Sequence, residues 1–252
     1  MILLNGSPIN VTIFPDKTSQ VWKNNESLYK QFNNIEWQFE SEGELFQLIQ
    51  LCSLIRQRST SAIINLYCPY LPWARQHKVM SNETTFALEV FCDVIEFYIN
   101  ELKAFDIHNT EFFYKNGRPR WNFQLVNVEP KEEIANLIQS EEIDLVIFPD
   151  ESAKKRYEHL VSVNSIFIEK KREQSTGNIL GMIMPDISHS KKILVVDDLC
   201  DGGFTFTSCA SLIKQYNPSS LILYVSHGIF SKGTEILYQA GYNKIYTRNG
   251  LV

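Results

Sequence analysis

Short apolar runs alternate with amphipathic segments through the second half of the chain. Buried strands are predicted for "DLVIFPD" (144–150), "SIFIEK" (165–170), "KILVVDD" (192–198), "SLILYVSHGIF" (220–230) and "KIYTR" (244–248). Helices are predicted for "SAKKRYEHLV" (152–161), "FTSCASLIKQY" (206–216) and "GTEILYQAG" (233–241). This alternation is typical of a parallel sheet with helices on both faces, and sites in such sheets lie at the carboxyl ends of the strands.

The first half begins with more strand and then follows the same rhythm. Strands are predicted for "NVTIF" and "SQVWK" around the turn "PDKT", and for "NIEWQF" (34–39), "SAIINLYC" (61–68), "AFDIH" (104–108) and "FQLVNV" (123–128). Helices are predicted for residues 42–57 and 84–102, and Pro130 is expected to be the first residue of another. We therefore predict an α/β protein of two domains, 1–128 and 129–252, each a largely parallel sheet flanked by helices.

Composition narrows the classes of function. Hydrophobic residues make up 44% and charged residues 21% of the 252 residues, which predicts a folded globular protein. The formal net charge of -5 gives no reason to expect nucleic-acid or membrane-surface binding, and no apolar stretch reaches the roughly 18 residues of a membrane span. The five cysteines have no CxxC spacing, so neither a disulfide framework nor a zinc site is expected, and cytoplasmic localisation is the expectation.

The stretch "KILVVDDLCDGGFTFT" (192–207) carries the strongest chemical signal. Asp197 and Asp198 stand side by side at the end of an apolar run, where like charges repel and call for a compensating partner that the sequence does not itself supply. They are expected to hold sugar hydroxyls or the waters of a magnesium ion. Asp201, Gly202, Gly203, Phe204 and Thr205 follow before a helix, an arrangement that favours an anion at the helix N-terminus.

Residues 170–190 interrupt the helical pattern with Gly177, Gly181 and Pro185 and begin with a basic cluster. We interpret them as a mobile hairpin or lid. The other basic cluster, residues 154–156, is expected to be solvated surface charge or a local anion site.

The 192–207 stretch resembles the ribose-5-phosphate-binding signature of the type I phosphoribosyltransferase fold. Other segments are similar, in family order, to those of the ribose-phosphate pyrophosphokinases, which make phosphoribosyl pyrophosphate (PRPP). These segments are "FPDKT" (14–18), "PYLPWARQHK" (69–78), "DIHNTEFF" (106–113), "VIFPDESAKKR" (146–156), "IEKKR" (168–172) and "YVSHGIFS" (224–231). The resemblance implies two tandem phosphoribosyltransferase-like domains.

The resemblance also implies roles for individual residues. Phe14, Asp16, Arg75, Gln76 and His108 would bind ATP. Lys170 and Arg172 would be catalytic and close over the transferring phosphates. Asp150, Asp197, Asp198 and residues 201–205 would bind the ribose phosphate. His108 and Asp150 would hold the cofactor Mg²⁺.

Departures from the family pattern leave the acceptor open. Phe204 stands where the family has a glycine that lets backbone approach phosphate, and Glu151, Ser152 and Ala153 replace a glycine-rich turn. The acceptor is therefore expected to be ribose 5-phosphate or a larger compound with an esterified 5-phosphate, such as ADP-ribose. A non-catalytic regulatory homologue and a PRPP-consuming transferase are the alternatives. The resemblance implies a homodimer or higher homo-oligomer, since the family's ATP site is shared between subunits.

Overall fold

The computed structural model describes residues 1–22, 29–76, 85–172, 179–189 and 191–252, without the side chains of residues 170–172 and 179–181. It divides into two compact units, Met1–Glu129 and Pro130–Val252. No helix in these ranges combines the length and hydropathy needed to cross a membrane.

The N-terminal unit is built on one six-stranded sheet. Its elements in chain order are β1 (Ile2–Leu4), β2 (Ser7–Pro8), β3 (Asn10–Ile13), β4 (Ser19–Trp22), β5 (Phe32–Trp37), α1 (Gly43–Arg58), β6 (Ile63–Cys68), α2 (Ala87–Ile95), β7 (Glu101–Phe105), β8 (Tyr114–Lys115), β9 (Arg118–Pro119) and β10 (Gln124–Val128). The sheet order is β10-β7-β6-β5-β1-β2, with the first four strands parallel. The strands β3 and β4 form a separate hairpin, as do β8 and β9.

One core holds this unit together. The apolar faces of α1 and α2 pack with the buried strand residues in a single cluster. Trp37 on β5 lies 5.9 Å from Phe91 on α2, ring centroid to ring centroid, and Trp73 lies 5.2 Å from Phe91. The indole N–H of Trp37 donates to Glu44 Oε2 over 3.0 Å, which ties α1 to the same buried face.

The C-terminal unit has a second six-stranded sheet and two cores. Its elements are α3 (Lys131–Ser140), β11 (Leu145–Phe148), α4 (Glu151–Tyr157), β12 (Asn164–Phe167), β13 (Glu169–Arg172), β14 (Ile179–Ile183), β15 (Lys192–Cys200), α5 (Phe204–Ile213), β16 (Ser220–Gly228), α6 (Glu235–Ala240), β17 (Lys244–Thr247) and β18 (Gly250–Leu251). The sheet order is β12-β11-β15-β16-β17-β18, parallel except for β18. Alternate strand residues enter separate clusters, one with α5 and α6 and the other with α3 and α4. Helices therefore cover both faces, as the apolar runs predicted.

Several predicted boundaries differ from the structure, and two of these differences follow from contacts distant in sequence. The strand β15 continues past the acidic pair to Cys200, because Leu199 and Cys200 pair with the end of β16. The helix α2 ends at Ile95 rather than near residue 102, because Asn100 exchanges hydrogen bonds with Ile64 of β6 and reverses the chain there. Pro130 occupies the N-cap of α3, one position before the predicted one.

The predicted hairpin at residues 170–190 is present in the described residues. The strand β13 pairs antiparallel with β14, with Lys170 opposite Met182 and Arg172 opposite Ile179. Residues 173–178 at its turn lie outside the described residues, and so do the side chains of Lys170 and Arg172. Their catalytic role stays a prediction.

Candidate functional site

Strand order defines a switch point in the C-terminal sheet. From β11 the chain passes through α4 to β12 on one side, while from β15 it passes through α5 to β16 on the other side. The two crossover helices belong to opposite faces of the sheet. A crevice therefore opens at the carboxyl ends of β11 and β15, where ligands of doubly wound sheets bind. Asp150 follows β11, and Asp197 and Asp198 lie on β15.

The Asp197 and Asp198 side chains have different surroundings. Asp198 is 8% exposed, and its Oδ2 accepts a hydrogen bond of 3.1 Å from Arg156 Nη1 on α4. Asp197 is half-buried, and its Oδ1 accepts from the Asp198 backbone N–H over 2.9 Å. Burial and the nearby charges of Asp198 and Asp150 raise the pKa of Asp197 well above its usual range. Asp197 is therefore the carboxylate that gains most from a bound cation or hydroxyl donors.

Arg156 corrects the expectation that the chain supplies no partner for the acidic pair. Its guanidinium is half-buried between Asp198 and the ring of Tyr157, whose centroid is 5.3 Å away. The sequence showed a basic cluster at residues 154–156. It could not show that Arg156 pairs with Asp198, because the two residues are 42 positions apart. The interpretation of this cluster as solvated charge is wrong for Arg156.

Asp150 is the N-cap of α4. Its Oδ1 accepts from the backbone N–H groups of Ser152 and Ala153, each over 3.1 Å, and from Ser152 Oγ over 2.7 Å. Ser152 and Ala153, which replace the family's glycines, therefore fix the orientation of this carboxylate. Asp150 follows β11 and Asp197 lies on the neighbouring parallel strand β15, so both carboxylates lie at the same edge of the sheet. The charge of Asp150 contributes to the raised pKa of Asp197.

The 201–205 loop joins β15 to α5. Gly203 is the N-cap of α5 with φ +78°, and a Cβ there would lie 2.9 Å from Ile236 Cδ1. Only glycine therefore fits without strain. The first N–H groups of α5 lack intrahelical partners, and the side chain of Phe204 at this end is 73% exposed. Asp201 is exposed and Thr205 half-buried, so the loop presents backbone donors, a carboxylate, a hydroxyl and an aromatic ring together.

The predicted ATP segments lie in the N-terminal unit. Arg75 and Gln76 follow β6, and His108 follows β7, so these segments leave the same carboxyl edge of the sheet. Arg75 and Gln76 are exposed and His108 is half-buried. The turn before His108 is fixed to β10, because Asp106 N–H donates to the Val128 carbonyl and Ile107 N–H to Asn127 Oδ1, both over 2.8 Å.

Phe14 and Asp16 lie at the tip of the β3–β4 hairpin. Asp16 Oδ1 accepts from Thr18 Oγ1 over 2.7 Å and from Thr18 N–H over 3.0 Å, and these bonds lower the pKa of Asp16. The carboxylate therefore stabilises its own turn, while the ring of Phe14 is exposed. Their role in ATP binding stays a prediction.

Comparison with known proteins gives curated relatives and a solved structure of the same fold. No protein-family model matches the chain. It is 24% identical over 199 residues to a ribose-phosphate pyrophosphokinase of Thermoplasma volcanium, covering 77% of this chain and 67% of that protein. It is 25% identical over 175 residues to one of Pyrococcus abyssi, covering 68% and 59%. The solved phosphoribosylpyrophosphate synthetase of Mycobacterium smegmatis has the same fold, with a TM-score of 0.76, 17% identity and coverage of 95% of this chain and 79% of that one.

The structure is therefore an α/β protein with largely parallel sheets flanked by helices, and it has the fold of that solved synthetase. Among curated proteins, the chain is similar to the ribose-phosphate pyrophosphokinases.

Proposed function

We propose that the protein transfers the β,γ-pyrophosphoryl group of ATP to the anomeric hydroxyl of a ribose 5-phosphate unit and releases AMP. The observation that carries this proposal is the Asp197–Asp198 pair at the switch point, directly before a glycine loop and a helix N-terminus. Similarity to named pyrophosphokinases supports the same reaction. A PRPP-consuming transferase would not need the 69–78 and 106–113 segments, and a non-catalytic homologue would not need to retain Lys170 and His108.

The chain's own residues would mainly align the reactants and neutralise charge. Asp197 and Asp198 accept hydrogen bonds from the ribose hydroxyls, and Arg156 holds Asp198 in place for this. The N–H groups at residues 203–205 bind the 5-phosphate. Lys170 and Arg172 neutralise the transferring phosphoryl oxygens. ATP is bound by five residues of the N-terminal unit: Phe14, Asp16, Arg75, Gln76 and His108. The β13–β14 hairpin excludes water from the reacting phosphates.

The residues of the crevice fit Mg²⁺. The described residues contain no ready-made cluster of three or more His, Cys, Asp or Glu ligands. Mg²⁺ in phosphate-transfer sites nevertheless takes only one or two carboxylates and completes its shell with water and phosphate oxygens. The neighbouring carboxylates of Asp150 and Asp197 meet that requirement, and the resemblance to the pyrophosphokinases assigns His108 to the same ion. When bound, the ion supplies charge neutralisation at the β- and γ-phosphates of ATP.

The acceptor is ribose 5-phosphate or ADP-ribose. Phe204 supports the larger acceptor, because an exposed ring at the phosphate end of the crevice could stack on a base beyond the 5-phosphate. We expect Phe204→Gly to lower kcat/KM for ADP-ribose relative to ribose 5-phosphate. An unchanged ratio would remove the argument from Phe204. Regardless of acceptor, the proposed enzyme would act as a homodimer or higher homo-oligomer in the cytoplasm.

The proposal is tested by incubating the protein with ATP, Mg²⁺ and either acceptor, and quantifying AMP and the acceptor product by ion-pairing mass spectrometry. Asp197→Asn should lower acceptor kcat/KM by about 10- to 100-fold, the loss of a charge-assisted hydrogen bond. Asp144→Asn, at the amino end of β11, is the matched control and should retain activity. Absence of AMP with both acceptors would favour the non-catalytic alternative.

A further inference from the structure

A tight turn follows β16 beside the 201–205 loop. The backbone N–H groups of Ile229 and Phe230 both donate to the Cys200 carbonyl, over 2.8 and 3.1 Å, and Gly233 N–H donates to the Phe230 carbonyl over 2.8 Å. These bonds attach the turn to the end of β15, immediately before the loop begins. The turn at residues 229–233 is therefore anchored to Cys200, the residue that precedes the 201–205 loop.

The side chain of Lys232 in this turn runs along the loop. A Cβ added at Gly202 would lie 3.7 Å from Lys232 Cε and 3.8 Å from its Cδ, which are ordinary van der Waals distances. Lys232 is exposed, and among the described residues no ion pair or hydrogen bond engages its ammonium group. The aliphatic stem thus packs on the loop while the charged end can still turn to a ligand.

A phosphate bound at the 201–205 loop would be stabilised by a nearby positive charge. Residues 197–207 include Asp197, Asp198 and Asp201 and no basic residue, so a phosphate bound at the loop would lie close to acidic groups. Backbone N–H groups and the helix dipole offset this only partly, since the dipole acts as about half a charge. Arg156 is already engaged by Asp198. Lys232 is placed to supply the missing positive charge.

We infer that Lys232 binds the 5-phosphate of the acceptor and makes the enzyme select phosphorylated over unphosphorylated ribosyl compounds. This inference rests on the proposed function. A lysine acts here as a point charge at the phosphate, so it should contribute to acceptor binding more than to the transfer step.

Direct binding and turnover together test this inference. Isothermal titration calorimetry should show that Lys232→Ala weakens binding of ribose 5-phosphate, or of ADP-ribose if that is the acceptor, by about 10- to 100-fold, as expected for a lost charge-assisted contact. Ribose, without a phosphate, should bind equally to both proteins. Lys232→Arg should retain most of the affinity. In turnover, the acceptor KM should rise while kcat stays within about threefold of the wild type.

Lys191→Ala is the matched control, because Lys191 is an exposed lysine just before the opposite end of β15. Equal acceptor affinity of Lys232→Ala and Lys191→Ala would overturn the inference, as would wild-type protein that binds neither acceptor. Phosphate-dependent binding that requires Lys232, in a protein that forms no AMP, would retain Lys232 as the phosphate ligand and reject pyrophosphoryl transfer.

Discussion

The three carboxylates of the crevice differ in how their charge is compensated. Asp150 accepts hydrogen bonds from helix-capping donors, and Asp198 accepts one from Arg156. Asp197 accepts one from a backbone N–H group, and its neighbours Asp198 and Asp150 repel its charge. Asp197 is therefore strained electrostatically in the free protein. In the proposed function, ligand hydroxyls or a cation would relieve this repulsion.

The stability of the free protein should reveal this strain. The pKa of Asp197 is raised in the folded state by burial and by the charges of Asp198 and Asp150, whereas the unfolded chain has the ordinary lower value. The ionised group thus destabilises the fold at neutral pH, and the penalty disappears as the pH falls through the folded pKa. Asp197→Asn should raise the melting temperature at pH 7 by about 2–4 °C.

Calorimetry between pH 4 and pH 8 measures this effect. The advantage of Asp197→Asn over the wild type should shrink as the pH falls, since the wild-type carboxyl then binds a proton. A variant that melts at or below the wild-type temperature at pH 7 would contradict the assignment of repulsion at this site.

Gly202 and Gly203 allow a matched comparison of how strongly the loop backbone is constrained. Gly203→Ala should destabilise the protein by roughly 1–2 kcal/mol, because its positive φ disfavours a Cβ and Ile236 would have to move. Gly202→Ala should change stability by less than about 0.5 kcal/mol, because its Cβ would meet Lys232 at an ordinary distance. Urea unfolding measures both variants. Equal losses would show that the loop backbone is not constrained as described.

At the scale of elements, the sequence indicated most of the strands and helices but not their long-range partners. Apolar runs predicted β11, β15 and β16 because buried parallel strands have no polar alternation. The extension of β15 to Cys200 depends on pairing with β16, and the end of α2 depends on Asn100 contacting β6. The Arg156–Asp198 pair likewise depends on how α4 packs beside β15. Such contacts are set by tertiary packing, so local pattern could not reveal them.

Packing of α2 on its sheet can be tested with two phenylalanines. Phe91 is 2% exposed and contacts Trp37 and Trp73, whereas Phe97, just after the helix, is 76% exposed. Phe91→Ala should lower the free energy of unfolding by about 3–5 kcal/mol, the usual loss for a buried aromatic ring. Phe97→Ala should change it by less than about 0.5 kcal/mol. Similar values for the two variants in urea titrations would contradict the packing of α2.

At the scale of the molecule, the N-terminal unit has one core and the C-terminal unit has two, and no disulfide links the cysteines. All five cysteines are buried, and none forms a disulfide. Burial raises the pKa of Cys52 to about 12 and that of Cys200 to about 12, so neither thiol forms the reactive thiolate at ordinary pH. The sequence predicted the absence of a disulfide framework from cysteine spacing, but the burial of each thiol follows only from the fold.

Thiol titration tests whether the five cysteines are buried in the native protein. With Ellman's reagent at pH 8, the native protein should react to less than about one equivalent within minutes. In guanidinium chloride all five thiols should react, since none is in a disulfide. Rapid reaction of several thiols in the native state would mean that the cores are open to solvent.

The most direct test of the proposed activity is ³¹P NMR of a reaction containing ATP, Mg²⁺ and ribose 5-phosphate, with a parallel reaction on ADP-ribose. Pyrophosphoryl transfer predicts that AMP appears together with a new acceptor-linked diphosphate, two coupled resonances that grow in equal proportion. Formation of ADP with an acceptor monophosphate would contradict the account, because only the γ-phosphoryl group would have moved.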